Sequence, residues 1–213
     1  MRALERKLLR DVRQMWSQVL TISLVVASGV AGFVTCFSAF DALSWSRDRY
    51  YEEARFADVF ARVQRAPQSL VAQLQDIDGV AQVQTGVAQT VPISLPGVNE
   101  PLLGGLLSLD LKAPGALNKV FVRSGRLPEP DAPTIEVLVS EAFANARGLR
   151  PGSELSALMN GKREPLTVVG IGLSPAYIFA GMWGSPDQRR FGVFWLDRSV
   201  LSAAYDMQEI GRA

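Results

Sequence analysis

The residues of this chain that could do chemistry are few and widely spaced. Among its 213 residues there is no histidine. That removes the commonest acid–base group and metal ligand, and with it any serine–histidine nucleophile system. The one cysteine, Cys36, lies inside an apolar run, so no internal disulfide can form. No cysteine–histidine cluster offers a zinc site, and no Gly-x-x-x-x-Gly-Lys-Ser/Thr stretch offers a phosphate cradle for ATP. Gly170-Ile171-Gly172 begins like a dinucleotide fingerprint, but Pro175 stands where its last glycine belongs. The carboxylates Glu129, Asp131, Glu136 and Glu141 are dispersed and read as solvated charges rather than an acid–base pair. Asp187-Gln-Arg-Arg190 reads as a polar surface turn. No cofactor or metal is called for, and the chain is not expected to be an enzyme. A formal net charge of +1 gives no case for nucleic acid as a partner.

The strongest signal is an apolar one. Residues 14–40 carry no charge, and the run from Val19 through Leu24, Gly29 and Phe33 to Phe40 is continuous. At about 1.5 Å per residue it spans a hydrocarbon core of about 30 Å. A backbone in lipid must satisfy its own hydrogen bonds, so the segment is expected to be a transmembrane helix. Trp16 and Trp45 flank it at interfacial positions. Arg2, Arg6, Lys7, Arg10 and Arg13 precede the span against Glu5 and Asp11, whereas mixed charges follow it. The N-terminus is therefore expected in the cytoplasm and the bulk of the chain beyond the plasma membrane. A cleaved signal peptide would need a shorter apolar region and a better site than Ser38-Ala39-Phe40-Asp41. Ala27, Ser28, Ala31 and Gly32 form small-residue spacings that would let a second helix approach, although such spacings also arise by chance.

Ahead of the span, residues 3–16 read as an amphipathic helix, with Leu4, Leu8, Val12 and Met15 on one face. Either it lies on anionic headgroups or it is simply a basic cytoplasmic flank. The division expected is a cytoplasmic helix (1–16), a transmembrane helix (17–40), a stalk helix (41–56), an extracytoplasmic core domain (57–205) and a tail (206–213).

Within the core domain, the alternation of Val59, Ala61 and Val63 predicts a strand over 58–64. Pro67 opens a helix whose face is Leu70, Leu74 and Ile77, with Gly79 as its stop. Residues 80–95 carry strand signals, completing a β-α-β unit. Residues 96–105 read as a Gly/Pro loop, with Leu102, Leu103, Leu106 and Leu107 either as an apolar tip that could touch a ligand or partner or, as is more usual, folded back onto the core. Residues 124–133 are a proline-rich excursion. A strand over 134–139 leads to a helix over 141–147, capped by Ser140 and closed by Gly148. Strands over 154–159 and 165–172 meet at Asn160-Gly161, a hairpin pair. A strand over 191–196 and a helix over 198–205 follow. The fold class expected is α+β: one N-terminal transmembrane helix and then an extracytoplasmic α/β domain.

Four stretches carry a family likeness. These are Gly125-Arg126-Leu127-Pro128, Glu136-Val-Leu-Val-Ser-Glu-Ala-Phe-Ala144, Gly148-Leu-Arg-Pro-Gly-Ser-Glu154, and Asn160-Gly161 followed by Leu166-Thr-Val-Val-Gly-Ile171. In this order, behind one span, they resemble the N-terminal portion of ABC transporter permeases of the FtsX/MacB type over most of residues 1–205. The resemblance implies a MacB-like periplasmic core domain and a role in transmembrane transport. A separate cytoplasmic ABC ATPase subunit would hydrolyse ATP, and the 45–56 stretch would carry the motion outward. A periplasmic adaptor or a second permease subunit are candidate partners beside the lipid bilayer. The cargo classes implied are lipoproteins, peptides, lipids and drugs. Family members carry further spans, and no second apolar run follows here. The chain is thus expected to be a truncated permease, a fragment of a split one, or an anchored binding or adaptor protein that uses no ATP.

Overall fold

The computed structural model describes residues 3–64, 66–67, 69–111, 115–130, 132–178, 180–182, 185–207 and 210–211. Expectations for Arg2, Asp131 and half of the tail lie outside the described residues. The chain divides into two compact units, Met1–Tyr50 and Tyr51–Ala213.

The first unit holds α1 (Ala3–Gln14), a bend at Met15, and most of α2 (Trp16–Ala54). The 39 residues of α2 make it long and apolar enough to cross a membrane, and its most apolar window is wholly unburied. Val19, Leu24, Phe33 and Phe40 are all exposed along it, and nothing lies within 4 Å of a side chain built on Gly29. Three of its hydroxyls turn inward on their own backbone. Thr21 donates to the Ser17 carbonyl at 2.8 Å, Thr35 to that of Ala31 at 2.8 Å, and Ser28 to that of Val25 at 2.9 Å. Hydroxyls satisfied inside the helix leave an apolar exterior, as a lipid environment demands.

The second unit is built on a mixed sheet. Its strands are β2 (Ala88–Ser94), β3 (Leu102–Leu109), β4 (Phe121–Gly125), β5 (Ile135–Ser140), β6 (Glu154–Met159), β7 (Lys162–Leu173) and β10 (Phe191–Asp197). The order is β4-β7-β5-β10-β3-β2-β6, and β6 pairs again with β7, so the sheet closes on itself. The closure depends on the twelve residues of β7. Its first half pairs antiparallel with β6, its middle and second half run parallel to β5, and its last residues take β4. β10 runs parallel to β3. These central strands are apolar on both faces, as parallel strands buried on both sides must be. Val137, Val139, Phe194 and Leu196 join the main core, while Leu138, Val193 and Trp195 form a second cluster on the other face.

Two short helices cover the main core. α4 (Glu141–Arg147) inserts Phe143, whose ring meets Phe194 edge-on with centroids 5.6 Å apart. α5 (Arg198–Ala204) inserts Leu201 and is capped by Asp197, which accepts from the Ser199 amide at 2.8 Å. Arg198 ties it to Thr85 through the carbonyl at 2.9 Å and the hydroxyl at 3.0 Å.

Several expectations are corrected here. Residues 58–64 form no strand: Val59 is 82% exposed and pairs with nothing along the sheet, because alternation alone supplies no partner strand. α3 runs Ser69–Gln75. Pro67 lies outside it, in β1 (Ala66–Pro67), which pairs with β11 (Ile210–Gly211) and not with β2. The expected β-α-β unit is therefore absent, and the 80–95 strand begins only at Ala88. Residues 102–109 are a strand inside the sheet, not a loop tip. Leu102 is 1% exposed and Leu106 is fully buried, while Leu107 packs against the second cluster and Leu103 registers against Phe191. Two glycines disguised this strand. At Gly104 a Cβ would stand 2.7 Å from Ile93 and 2.8 Å from Phe194, so the sheet needs a residue without one. β4 occupies the start of the expected proline-rich excursion. Ser140 makes no side-chain cap to α4; its hydroxyl accepts from the Val193 amide at 3.2 Å, bridging β5 to β10. β8 (Gly181–Met182) and β9 (Ser185–Pro186) form a small separate hairpin.

Candidate functional site

The four family-like stretches meet at one place in the second unit, around the middle of β7. Gly125 closes β4 at φ +80°, a left-handed conformation that disfavours any side chain. A Cβ there would overlap the Val169 carbonyl oxygen and lie 2.7 Å from the Gly170 Cα and 3.0 Å from Pro151. The Arg126 amide then donates to Val169 at 3.0 Å. On the neighbouring turn the Gly152 amide donates to the Val168 carbonyl at 2.7 Å, and the Val168 amide to Ser153 at 2.9 Å. Residues from Gly125-Arg126, Pro151-Gly152 and Val168-Val169-Gly170 are thus stitched backbone to backbone.

The stretch that begins at Glu136 joins through charge. Arg126 Nη1 donates to Glu136 Oε2 at 2.6 Å and Nη2 to Oε1 at 2.5 Å, and the Glu129 amide adds a bond to Oε2 at 2.9 Å. The Arg126 hydrogen bonds, reinforced by the Glu129 amide, hold the Glu136 carboxyl below its ordinary range against the opposing effect of burial. The same pairing raises the guanidinium of Arg126. Glu129 itself stands 3.4 Å from Arg126, and Glu141 lies 3.6 Å from Arg123. Each of these three carboxylates is engaged by an arginine, an arrangement that orders a loop.

A second constellation gathers at the C-terminal turn of α2. Ala54 is fully buried, and Arg55 follows it at φ +50°. The carbonyls of Ala54 and Arg55 accept from the Lys119 and Asn118 amides at 2.9 and 3.0 Å. The Asn118 side chain accepts from the Ala57 amide at 3.1 Å. Arg55 Nη2 donates to Gln82 at 2.7 Å, and Gln82 Nε2 donates to the Gly115 carbonyl at 3.2 Å. Carbonyls that a helix end leaves orphaned are here satisfied by a loop of the sheet domain. Tyr51 and Phe56 stack across the turn with centroids 4.6 Å apart.

The solved structures similar to this chain include the following two. One is the extracellular domain of noncanonic ABC-type transporter YknZ from Gram-positive bacteria, 15% identical, covering 69% of this chain and 70% of that one, with a TM-score of 0.42. The other is the periplasmic region of MacB from Actinobacillus actinomycetemcomitans, 13% identical, covering 70% of this chain and 65% of that one, with a TM-score of 0.40. No protein-family model matches the chain, and no curated protein does.

Asp187-Gln-Arg-Arg190 is a turn closed by its own aspartate, whose Oδ1 accepts from the Arg189 and Arg190 amides at 3.2 and 3.1 Å. Arg147 bonds to Glu100 at 3.1 Å and to the Arg189 carbonyl at 2.7 Å, holding the Glu100 carboxyl below its ordinary range. Among the described residues no group of three or more His, Cys, Asp or Glu could hold a metal ion.

Sequence reasoning missed both constellations. The first had a visible signal, a Gly-Arg-x-Pro stretch with a glutamate ten residues on at the head of a strand. The second had none, because its hydrogen-bonded partners lie 27 to 65 residues apart.

Proposed function

We infer that this chain is a permease subunit, or the N-terminal part of one, of an ABC transporter of the FtsX/MacB type. In this reading α2 crosses the plasma membrane with the N-terminus inside, and the sheet domain stands on the outer side. A separate cytoplasmic ATPase hydrolyses ATP, and the energy moves the sheet domain during export or extraction of a lipoprotein, peptide, lipid or drug. The chain itself binds no nucleotide.

One observation carries the reading. The family-like stretches are dispersed over residues 125–171, yet Gly125, Arg126, Glu136 and Gly152 converge on β7. Ordinary turn chemistry matched by chance would have no reason to meet in space. The reading rests on this convergence of residues rather than on global similarity. The knot around Gly125 would keep the sheet domain from deforming under load, and the bonded last turn of α2 would be where motion is received.

The test is purification of the full chain from native membranes under mild detergent. Recovery of an ABC ATPase in fixed ratio to the chain, with ATP turnover belonging to that subunit, is the expected result. A chain that comes out of ATPase-containing membranes alone, under conditions that keep other ABC complexes intact, would instead be an anchored binding or adaptor protein.

A further inference from the structure

α1 is a separate helix, set off from α2 by the bend at Met15 within the same compact unit. By helical spacing, positions 4, 8, 12 and 15 fall on one arc, and all four are apolar. Positions 6, 7, 10 and 13 fall on the opposite arc, and all four are basic. Where the side chains are described, both arcs are open. Lys7, Arg10 and Arg13 are exposed, as are Val12 at 44%, Met15 at 52% and Trp16 at 64%. A helix this short is marginal in water unless one face is covered.

Two observations choose the occupant. The first is continuity: the charge-free run begins at Gln14, so α1 opens directly into the segment that the proposed function places in the bilayer. The second is charge. Residues 2–13 hold five cations against two anions, Glu5 and Asp11. A surface with an apolar layer beneath negative phosphates fits both arcs at once, whereas a zwitterionic surface fits only one.

We propose that α1 is an anionic-lipid-binding helix, lying in the cytoplasmic interface with its 4-8-12-15 arc toward the acyl boundary and its basic arc among lipid phosphates. The proposal rests on the reading of α2 as a span. The experiment uses the full chain with Cys36→Ser, reconstituted in vesicles, with an environment-sensitive fluorophore on Val12→Cys or, separately, on Leu24→Cys. Vesicles of phosphatidylcholine containing phosphatidylglycerol are compared with phosphatidylcholine alone. The label at 12 should be lipid-embedded at least about threefold more often in the anionic vesicles, and lose that preference in high salt or with Arg10→Glu/Arg13→Glu. The label at 24 should be in lipid throughout. A label at 12 that stays in water, that embeds equally in both vesicles, or that is shielded only after a soluble ATPase is added overturns the proposal while leaving the span intact. A label at 24 found in water removes the span itself.

Discussion

Arg126 grips Glu136 through both terminal nitrogens, so that the glutamate side chain is only 9% exposed while its arginine is 48% exposed. The pair joins the loop after β4 to the head of β5, and it makes stability depend on pH. The folded carboxyl titrates below its unfolded value of about 4.3, so the unfolded state binds more protons through that window. The contribution of Glu136 is fully present above about pH 4.3 and is lost as pH falls through the folded value. Arg126→Gln should therefore lower the urea midpoint near pH 7, and the gap from the parent should narrow as pH falls below the unfolded value of about 4.3. A gap that stays constant as pH falls below that value would refute this account of the pair.

Gly125 and Gly161 have nearly the same backbone angle, φ +80° and +81°, in different surroundings. Around Gly161 no atom lies within 4 Å of a built Cβ, whereas Gly125 is pressed against β7 and Pro151. Gly161→Ala should cost about 1–2 kcal/mol, the left-handed penalty alone. Gly125→Ala should cost more than that, because backbone atoms must also move. Denaturant unfolding of the second unit measures both; equal costs would mean that the knot yields freely.

The Arg55 clamp can be opened from the other side. A Cβ on Gly115 would stand 2.5 Å from Arg55 Nη1. Gly115→Ala should displace the guanidinium, release Gln82, and raise amide exchange at Ala57, Asn118 and Lys119 by about tenfold or more. Amides of β5 and β10 should be unchanged. Unaltered exchange at Lys119 would show that the backbone bonds hold α2 without the arginine.

Leu24 is 62% exposed at the middle of the apolar run. Leu24→Arg should disfavour insertion by about 2.5–3.5 kcal/mol. The mutant chain should then be extracted from membranes by carbonate, or shift its span to bury other residues. Full carbonate-resistant retention with an unshifted span would count against that insertion cost at position 24.

Legibility followed the range of the interactions. The helix Glu141–Arg147 and the strand Glu154–Met159 match their expected limits, and Asn160 and Gly161 both take the positive φ of a tight hairpin. Each of these is decided within a few residues, by a cap, a turn pair or an alternation. Val59, Ala61 and Val63 alternate equally well, yet they found no partner strand. Leu102 to Gly105 sit in a Gly/Pro-rich stretch that reads locally as a loop, because nothing local says that Ile93 and Phe194 will approach closely enough to require Gly104. The same holds for Ser140, whose hydroxyl was free to cap α4 and instead serves β10.

By itself the order of residues determined a long charge-free helix with a basic leader, the absence of histidine chemistry, and the hairpin and helix from Glu141 to Ile171. Those follow from hydropathy, composition and short-range backbone preference. Only the tertiary structure decided that the sheet closes through β6 and β7, that Leu106 is core, and that Arg126 and Arg55 each hold a distant partner. Such contacts depend on which segments the closed sheet brings side by side, and local sequence carries no record of that until the chain has folded.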